Sequence, residues 1–315
     1  MNRNGRNQLR LNIGSLDVLG YALGLSPETI VAASHRTGHD YDPFIKISNP
    51  APFAADPIEP KQRKIDNPIL ITKEIQKRIN RSLLRPLHLP GHICGGVKGK
   101  TLLDNIIPHL NARVIVTADI KGFFPSITTF QVYAIWSRLL GCSPEIAAIL
   151  TRLTTFERRL PQGAPTSSTL ANLILFSFDQ PIRSFCAQHG ITYTTWVDDL
   201  IFSGAESRSV INVAVAALRE GGFSLPHKKL KIMTAGKRMR VTGVLLGKKP
   251  GVIRRYARDT RAGIYRLTKG DLAEPKVDRY VKSIRGRIAH INRLNPNVAR
   301  SLDHQFQLAL KRAVS

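Results

Sequence analysis

Apolar residues in this chain recur with two different periods. Residues 113–119, Arg-Val-Ile-Val-Thr-Ala-Asp, form a β-branched run that predicts a strand ending on a carboxylate, Asp119. Residues 193–203, Tyr-Thr-Thr-Trp-Val-Asp-Asp-Leu-Ile-Phe-Ser, predict two short strands joined by a tight turn that carries Asp198 and Asp199. Between them, the loop Leu-Pro-Gln-Gly-Ala-Pro-Thr-Ser at 160–167 leads into a helical stretch, 168–178, with its apolar residues crowded on one face. Helices are also predicted over 130–140 and 144–154. A helical pair at 15–25 and 27–34 has the outline of a helix-turn-helix, but its composition demands no base contact, so a packing role is expected. In the last third, three- and four-residue spacing predicts helices over 254–267, 280–294 and 298–313, with Tyr280, Ile284, Ile288 and Ile291 on one face. The order strand, helix, hairpin, helix, strand predicts an α+β fold with a split β-α-β sheet and helices on one face.

The aspartates change this picture from architecture to chemistry. Burying two adjacent like charges costs several kcal/mol unless a cation compensates. No Lys or Arg lies within 193–203. A hard divalent cation suits carboxylate oxygens, and Asp119 at the end of a neighbouring strand could complete its site. One Asp capping the turn while the other stays solvated is the competing reading.

Charge adds a partner. The 315 residues carry a formal net charge of +25, which calls for a polyanion. From position 237 to the end there are 20 Lys and Arg against 5 Asp and Glu, so more than half of the excess lies in the last quarter. Helices there can bury one face and offer Arg254, Arg255, Arg258, Arg261, Arg285 and Arg287 to phosphates. No segment approaches 18 uninterrupted apolar residues, and the first residues lack the apolar core of a signal peptide, so no membrane partner is expected. Three scattered cysteines, Cys94, Cys142 and Cys186, suit a reducing cytoplasm. His88, His92 and Cys94 are too few for a structural zinc site, and Gly95 to Thr101 lacks the spacing of a phosphate loop. Asn105 and His109 stand one helical turn apart, open both to an RNA contact and to a helix-end cap beside a surface His.

Taken in order, Asp119 with Ile120-Lys121-Gly122-Phe123-Phe124-Pro125-Ser126, the Gln162-Gly163 loop, the Asp198-Asp199 hairpin and the lysines of His227-Lys228-Lys229 resemble the palm of reverse transcriptases. The resemblance covers roughly residues 41–300. Val241-Thr242-Gly243, Asn105 and His109 in Asp-Asn-Ile-Ile-Pro-His, and Tyr41, Phe44, Arg63 and Ile65 resemble elements of one branch, the bacterial retron reverse transcriptases. Two positions depart from it: Trp196 stands where Tyr usually begins Tyr-x-Asp-Asp, and Ile106 replaces the Ala that usually follows the Asn.

The resemblance implies a right-hand polymerase, with an N-terminal helical segment 1–40, fingers 41–112, palm with fingers insertions 113–235 and basic helical thumb 236–315. It implies two magnesium ions held by Asp119, Asp198, Asp199 and the Ile120 carbonyl, with Lys229 as a proton donor near the pyrophosphate. Arg63, and with it Lys61, would neutralise the triphosphate. Phe124 would lie beneath the ribose 2′ position, and Gln162 and Gly163 would line the nucleotide pocket. RNA contacts are expected at Asn105, His109, Val241, Thr242, Gly243, Arg254, Arg255 and Arg258, with Tyr256, Tyr265 and Tyr280 near unpaired bases, and the loop after Cys94 is expected to be mobile and to touch template. The implied substrates are deoxynucleoside triphosphates and a cognate structured non-coding RNA, part of which is copied into a branched RNA-linked single-stranded DNA. An antiphage role follows, with an effector or toxin protein held by the product. No ribonuclease H, maturase or endonuclease domain is expected. Two alternatives stay open: another bacterial defence reverse transcriptase without a branched product, and a non-catalytic RNA-binding scaffold. Three repelling carboxylates argue against the scaffold.

Overall fold

A computed structural model describes residues 9–36, 38–48, 61–236, 238–269 and 276–314. The chain divides into two compact units, one built from Met1–Ile45 with Lys64–Ala235 and the other from Lys46–Arg63 with Gly236–Ser315.

The first unit opens with α1 (Leu16–Leu23) and α2 (Pro27–Arg36). Ser15 caps α1 by accepting from the Val18 amide, and Gly24 closes it in the left-handed region. Leu19, Leu23 and Ile30 are fully buried, so one face of this pair packs into the core. Strands β1 (Tyr41–Ser48) and β2 (Lys61–Pro68) pair as a two-stranded ribbon. Helix α3 (Leu70–Ile79) runs into a widened π-turn at Asn80–Leu84. A short α4 (Leu102–Ile106) precedes β3 (Val114–Asp119). After the single turn α5 (Phe123–Ser126), α6 (Thr129–Ala134) continues as a second π-turn, Ile135–Leu139, where one continuous helix was expected. The wider turn leaves Trp136 wholly buried, its indole N–H on the Thr154 hydroxyl at 3.4 Å. Helices α7 (Pro144–Thr154), α8 (Ser167–Phe178) and α9 (Gln180–Gln188) lead to β4 (Thr192–Trp196), β5 (Asp199–Ser203), α10 (Val210–Glu220) and β6 (Lys231–Thr234).

The four strands β3 to β6 make one antiparallel sheet in the order β4-β5-β3-β6. Strand periodicity sorts its residues into two faces. Val116, Ala118, Leu200 and Phe202 share a core with Leu170, Leu173 and Ile174 of α8 and Val210 and Ala214 of α10. The opposite face carries Ile115, Thr117 and Asp119 of β3 beside Ser203, Ile201 and Asp199 of β5.

The second unit contains the hairpin β7 (Met239–Val241) and β8 (Val244–Leu246) and the helices α11 (Arg254–Thr268), α12 (Lys276–Leu294) and α13 (Pro296–Val314). Tyr280, Ile284, Ile288 and Ile291 of α12 are buried in one core with Ile264 and Leu267 of α11 and Leu302 and Phe306 of α13. The apolar stripe read from the spacing is therefore the packed face.

Candidate active site

Two carboxylates stand opposite each other at one end of the sheet, and a third lies on the adjoining turn. In the β3–β5 register Asp119 stands opposite Asp199, and opposed residues of an antiparallel pair point to one face. The β4–β5 register pairs Trp196 with Asp199, leaving Val197 and Asp198 as a two-residue turn. Val197 sits at φ +61°, uncommon for a β-branched residue, and such strain clusters at functional sites. The Ile120 amide donates to the Asp198 carbonyl at 3.0 Å, which ties the end of β3 to the turn. Ile120 itself is fully buried.

Electrostatics follow from this crowding. The Asp199 carboxyl is pushed up to about 6, first by burial and then by the charges of Asp198 and Asp119, while Lys229 and Lys231 pull it down. Lys229, on the single turn His227–Lys229 before β6, places its ammonium on Asp119 Oδ1. Among the described residues no three His, Cys, Asp or Glu side chains already converge as a metal-ligand set. The oxygen donors, the crowding of Asp198 and Asp119 on Asp199 and the cation lying on Asp119 nevertheless fit a site for hard divalent ions.

The turn is braced from behind by a segment whose role the sequence did not reveal. Thr195 donates its amide to the His92 carbonyl at 2.8 Å, and its carbonyl accepts from the Cys94 and Gly95 amides at 3.0 and 3.3 Å. A Cβ on Gly95 would stand 2.6 Å from the Val197 nitrogen, so only glycine lets this backbone lie against the aspartate turn. Asn172 of α8, fully buried, donates to the Gly95 carbonyl at 2.7 Å. His92 is fixed by Asp179 at 2.8 Å, and Asp179 also accepts from Arg183. The loop after Cys94, expected to be mobile, is thus pinned at its start through backbone pairing. Cys94 is buried and His88 exposed. The adjacent glycines at 95 and 96 were the available signal.

Gln162 and Gly163 lie against β2. The Asp66 amide donates to the Gln162 carbonyl at 2.8 Å, and the Gln162 amide returns a bond to Asp66 Oδ2 at 3.1 Å. Gly163, at φ +112°, faces Ile65, whose Cγ2 a Cβ would approach to 2.7 Å. Arg159 grips Asp66 through both terminal nitrogens, at 2.6 and 3.1 Å. Arg63 is exposed, and the side chain of Lys61 lies outside the described residues. Of the two phenylalanines after Asp119, Phe123 fills the core against Phe223 while Phe124 stays half-buried.

Several residues expected at RNA do something else. Asn105 and His109 share one side, as their spacing predicts, but that side is inward and both are fully buried. His109 bonds Ser203 at 2.7 Å and Thr194 at 2.8 Å, and Thr194 donates to Asn105 at 2.9 Å. They cover the far end of the face that carries Asp119 and Asp199, so neither an RNA contact nor a surface His describes them. Tyr280 is 4% exposed and belongs to the core, while Tyr265 is exposed. Arg287 stacks 3.7 Å over the Tyr256 ring and bonds Thr260 and the Tyr256 carbonyl, an internal role rather than a phosphate contact. Val241 is buried, and Thr242 and Gly243 form the turn of the β7–β8 hairpin, both at positive φ. Arg254 and Arg258 are exposed, and Arg255 is half-buried with Asp259 at 3.7 Å.

A paired-strand aspartate, an aspartate-bearing turn and a lysine thus share one sheet end. The sequence profile of the family described as reverse transcriptase (RNA-dependent DNA polymerase) matches residues 59–246. The chain belongs to that family and is an RNA-directed DNA polymerase. Curated proteins similar to it are retron reverse transcriptases. Retron Ec86 reverse transcriptase of Escherichia coli is 29% identical over 237 residues, covering 74% of this chain and 72% of that protein. Retron Mx65 reverse transcriptase of Myxococcus xanthus is 30% identical over 251 residues, covering 73% and 58% respectively. Retron Ec83 reverse transcriptase of Escherichia coli is 27% identical over 289 residues, covering 85% and 91%.

Proposed function

We propose that this chain is a retron-type reverse transcriptase that copies part of a structured non-coding RNA into a branched RNA-linked single-stranded DNA. The observation that carries the reading is the register of Asp119 against Asp199 beside the Asp198 turn. In this reading the sheet and its helices are the palm, residues 41–112 belong to the fingers, and the basic helices α11 to α13 form the thumb. Asp119, Asp198 and Asp199, with the Ile120 carbonyl, would hold two magnesium ions, which would supply a lowered pKa for the primer hydroxyl and compensation for the charge of the leaving pyrophosphate. The Lys229 ammonium, released from Asp119, is positioned to give a proton to that leaving group. Arg63 offers a guanidinium fork to the triphosphate. Phe124 meets the 2′ position of the incoming sugar, with Gln162 and Gly163 along the nucleotide. Arg254, Arg255 and Arg258 meet RNA phosphates, and Thr242 and Gly243 present the hairpin turn. The product fits an antiphage role in which it restrains an effector protein, in the cytoplasm. No helix among the described residues is long and apolar enough to cross a membrane.

The test is primer extension on an RNA template with deoxynucleotides and magnesium. Asp198→Asn keeps shape and relieves repulsion, so the variant folds while extension falls by several orders of magnitude. Undiminished extension would remove this site from the mechanism.

A further inference from the structure

Asp179 is the one residue between α8 and α9, and it stands at the N-cap of α9. An aspartate in that position ordinarily accepts from the amides of the helix's first turn. Asp179 makes no such bond, although its side chain is buried. Its two oxygens go elsewhere: Oδ2 accepts from His92 Nε2 at 2.8 Å and Oδ1 from Arg183 Nε at 2.6 Å. A carboxylate only accepts, so Nε2 of His92 carries the hydrogen. This carboxylate leaves its own helix uncapped and is committed to holding the imidazole.

The held imidazole leads to the aspartate turn by two routes. Its ring stacks on Tyr193 of β4, with centroids 5.2 Å apart, and Tyr193 stacks on Phe202, its partner on β5, at 5.0 Å and 9°. The three rings thus run across both strands that carry the turn. Through the backbone, the His92 carbonyl accepts from the Thr195 amide at 2.8 Å, three residues before Asp198. Only Val197 and Asp198 join the two strands, so a shift of β4 passes directly to the Asp198 carboxylate. Metal ligands need placement to within about 0.5 Å, and residues that orient them from outside typically govern affinity by about 10- to 100-fold.

We propose that Asp179 and His92 are positioning residues for nucleotidyl transfer: Asp179 fixes the His92 ring, and through Tyr193 and Thr195 that residue holds the Asp198 turn in its placement beside Asp119. The proposal rests on the reading of the aspartates as a metal site. Arg183 bonds the same carboxylate but lies over the Phe176 ring of α8, 4.7 Å from its centre, so it ties Asp179 to the helices rather than to the hairpin. It is therefore the internal control.

Hydrogen exchange read by mass spectrometry on the full chain, together with manganese(II) binding followed by paramagnetic resonance, tests it. Thermal melting verifies that each variant folds. His92→Phe keeps a ring on Tyr193 and loses the bond to Asp179, while Asp179→Ala removes the acceptor. In either variant the amides of 193–203 exchange about tenfold faster, and those of the second unit keep their wild-type rates. Manganese affinity falls about tenfold, half-saturating magnesium in primer extension rises in step, and KM for deoxynucleotides moves less than about twofold. The double variant is no worse than either single one, because both break one link. Arg183→Gln lowers the melting temperature but leaves exchange in 193–203 and manganese affinity as in wild type. Unchanged exchange in 193–203, additive losses in the double variant, or an equal effect of Arg183→Gln would each overturn the positioning role and leave the metal reading intact. Manganese binding by Asp198→Asn equal to that of wild type would overturn the metal reading and the proposal with it.

Discussion

Removing one charge from the aspartate cluster stabilises this protein in the absence of divalent ions. Asp199 is the informative position because its carboxyl is pushed from 3.8 up to about 6 by burial and by Asp198 and Asp119. At ~1.4 kcal/mol per pH unit, that rise corresponds to about 3 kcal/mol of penalty on the ionised form. The neighbouring Asp119 side chain is 36% exposed, so water screens part of the repulsion and about 1–2 kcal/mol is expected. The sign follows from linkage. With a folded value above the unfolded one, the penalty is complete above about pH 6 and absent below about pH 4, where the carboxyl is protonated in both states. Asp199→Asn should therefore raise the urea midpoint at pH 7.5 in a chelating buffer, and its advantage should shrink steadily as the pH falls to 4. Magnesium should stabilise the wild type and leave the variant nearly unmoved. A variant no more stable than wild type at pH 7.5 without metal would refute the reasoning, since it would mean that the carboxylates do not repel.

Three further outcomes are expected. Burial pulls His109 down to about 4, so folding favours neutral imidazole; the resulting stability, about 3 kcal/mol, is complete above pH 6.5 and lost as pH falls towards 4. His109→Gln should flatten urea midpoints across that window, and an unchanged slope would mean that the ring is not shut from water. Burial pushes the Asp66 carboxyl up, but the bonds from Arg159 and the Gln162 amide and the Arg159 charge hold it below its usual range. Arg159→Ala strands that carboxylate and should cost about 3–5 kcal/mol in a urea titration, with a loss under about 1 kcal/mol contradicting the buried pairing. Phe124→Ala should admit ribonucleotides into the product, scored by alkaline cleavage, and a folded variant with unchanged discrimination would move the sugar gate elsewhere.

What the sequence disclosed were the features written into local periodicity. The β-branched run into Asp119, the two short strands around Asp198-Asp199 and the stripe Tyr280, Ile284, Ile288 and Ile291 each specify an element through neighbours a few residues away. What stayed hidden depends on partners far along the chain. The glycines at 95 and 96 mark a close approach but not its partners: that Val197 lies against Gly95, about a hundred residues later, and that Asn172 holds its carbonyl are settled only by the fold. His109 is a polar residue in a core because Ser203 and Thr194 satisfy it, and those hydroxyls face inward only once β4 and β5 are paired. Arg287 sits in an arginine-rich helix and reads as a phosphate ligand until the Tyr256 ring is found beneath it.

The bonding of His92, Cys94 and Gly95 to Thr195 of β4 has a consequence for how the molecule behaves in company. Without that segment, β4 would be an open sheet edge, offering unpaired amides and carbonyls to any extended peptide. Covered at Thr195, the edge is obstructed next to the aspartate turn. The opposite edge, β6, is only four residues long and includes the exposed Lys231, two features that discourage docking there. The same backbone bonds that hold the turn in place thereby blunt the sheet edge beside it.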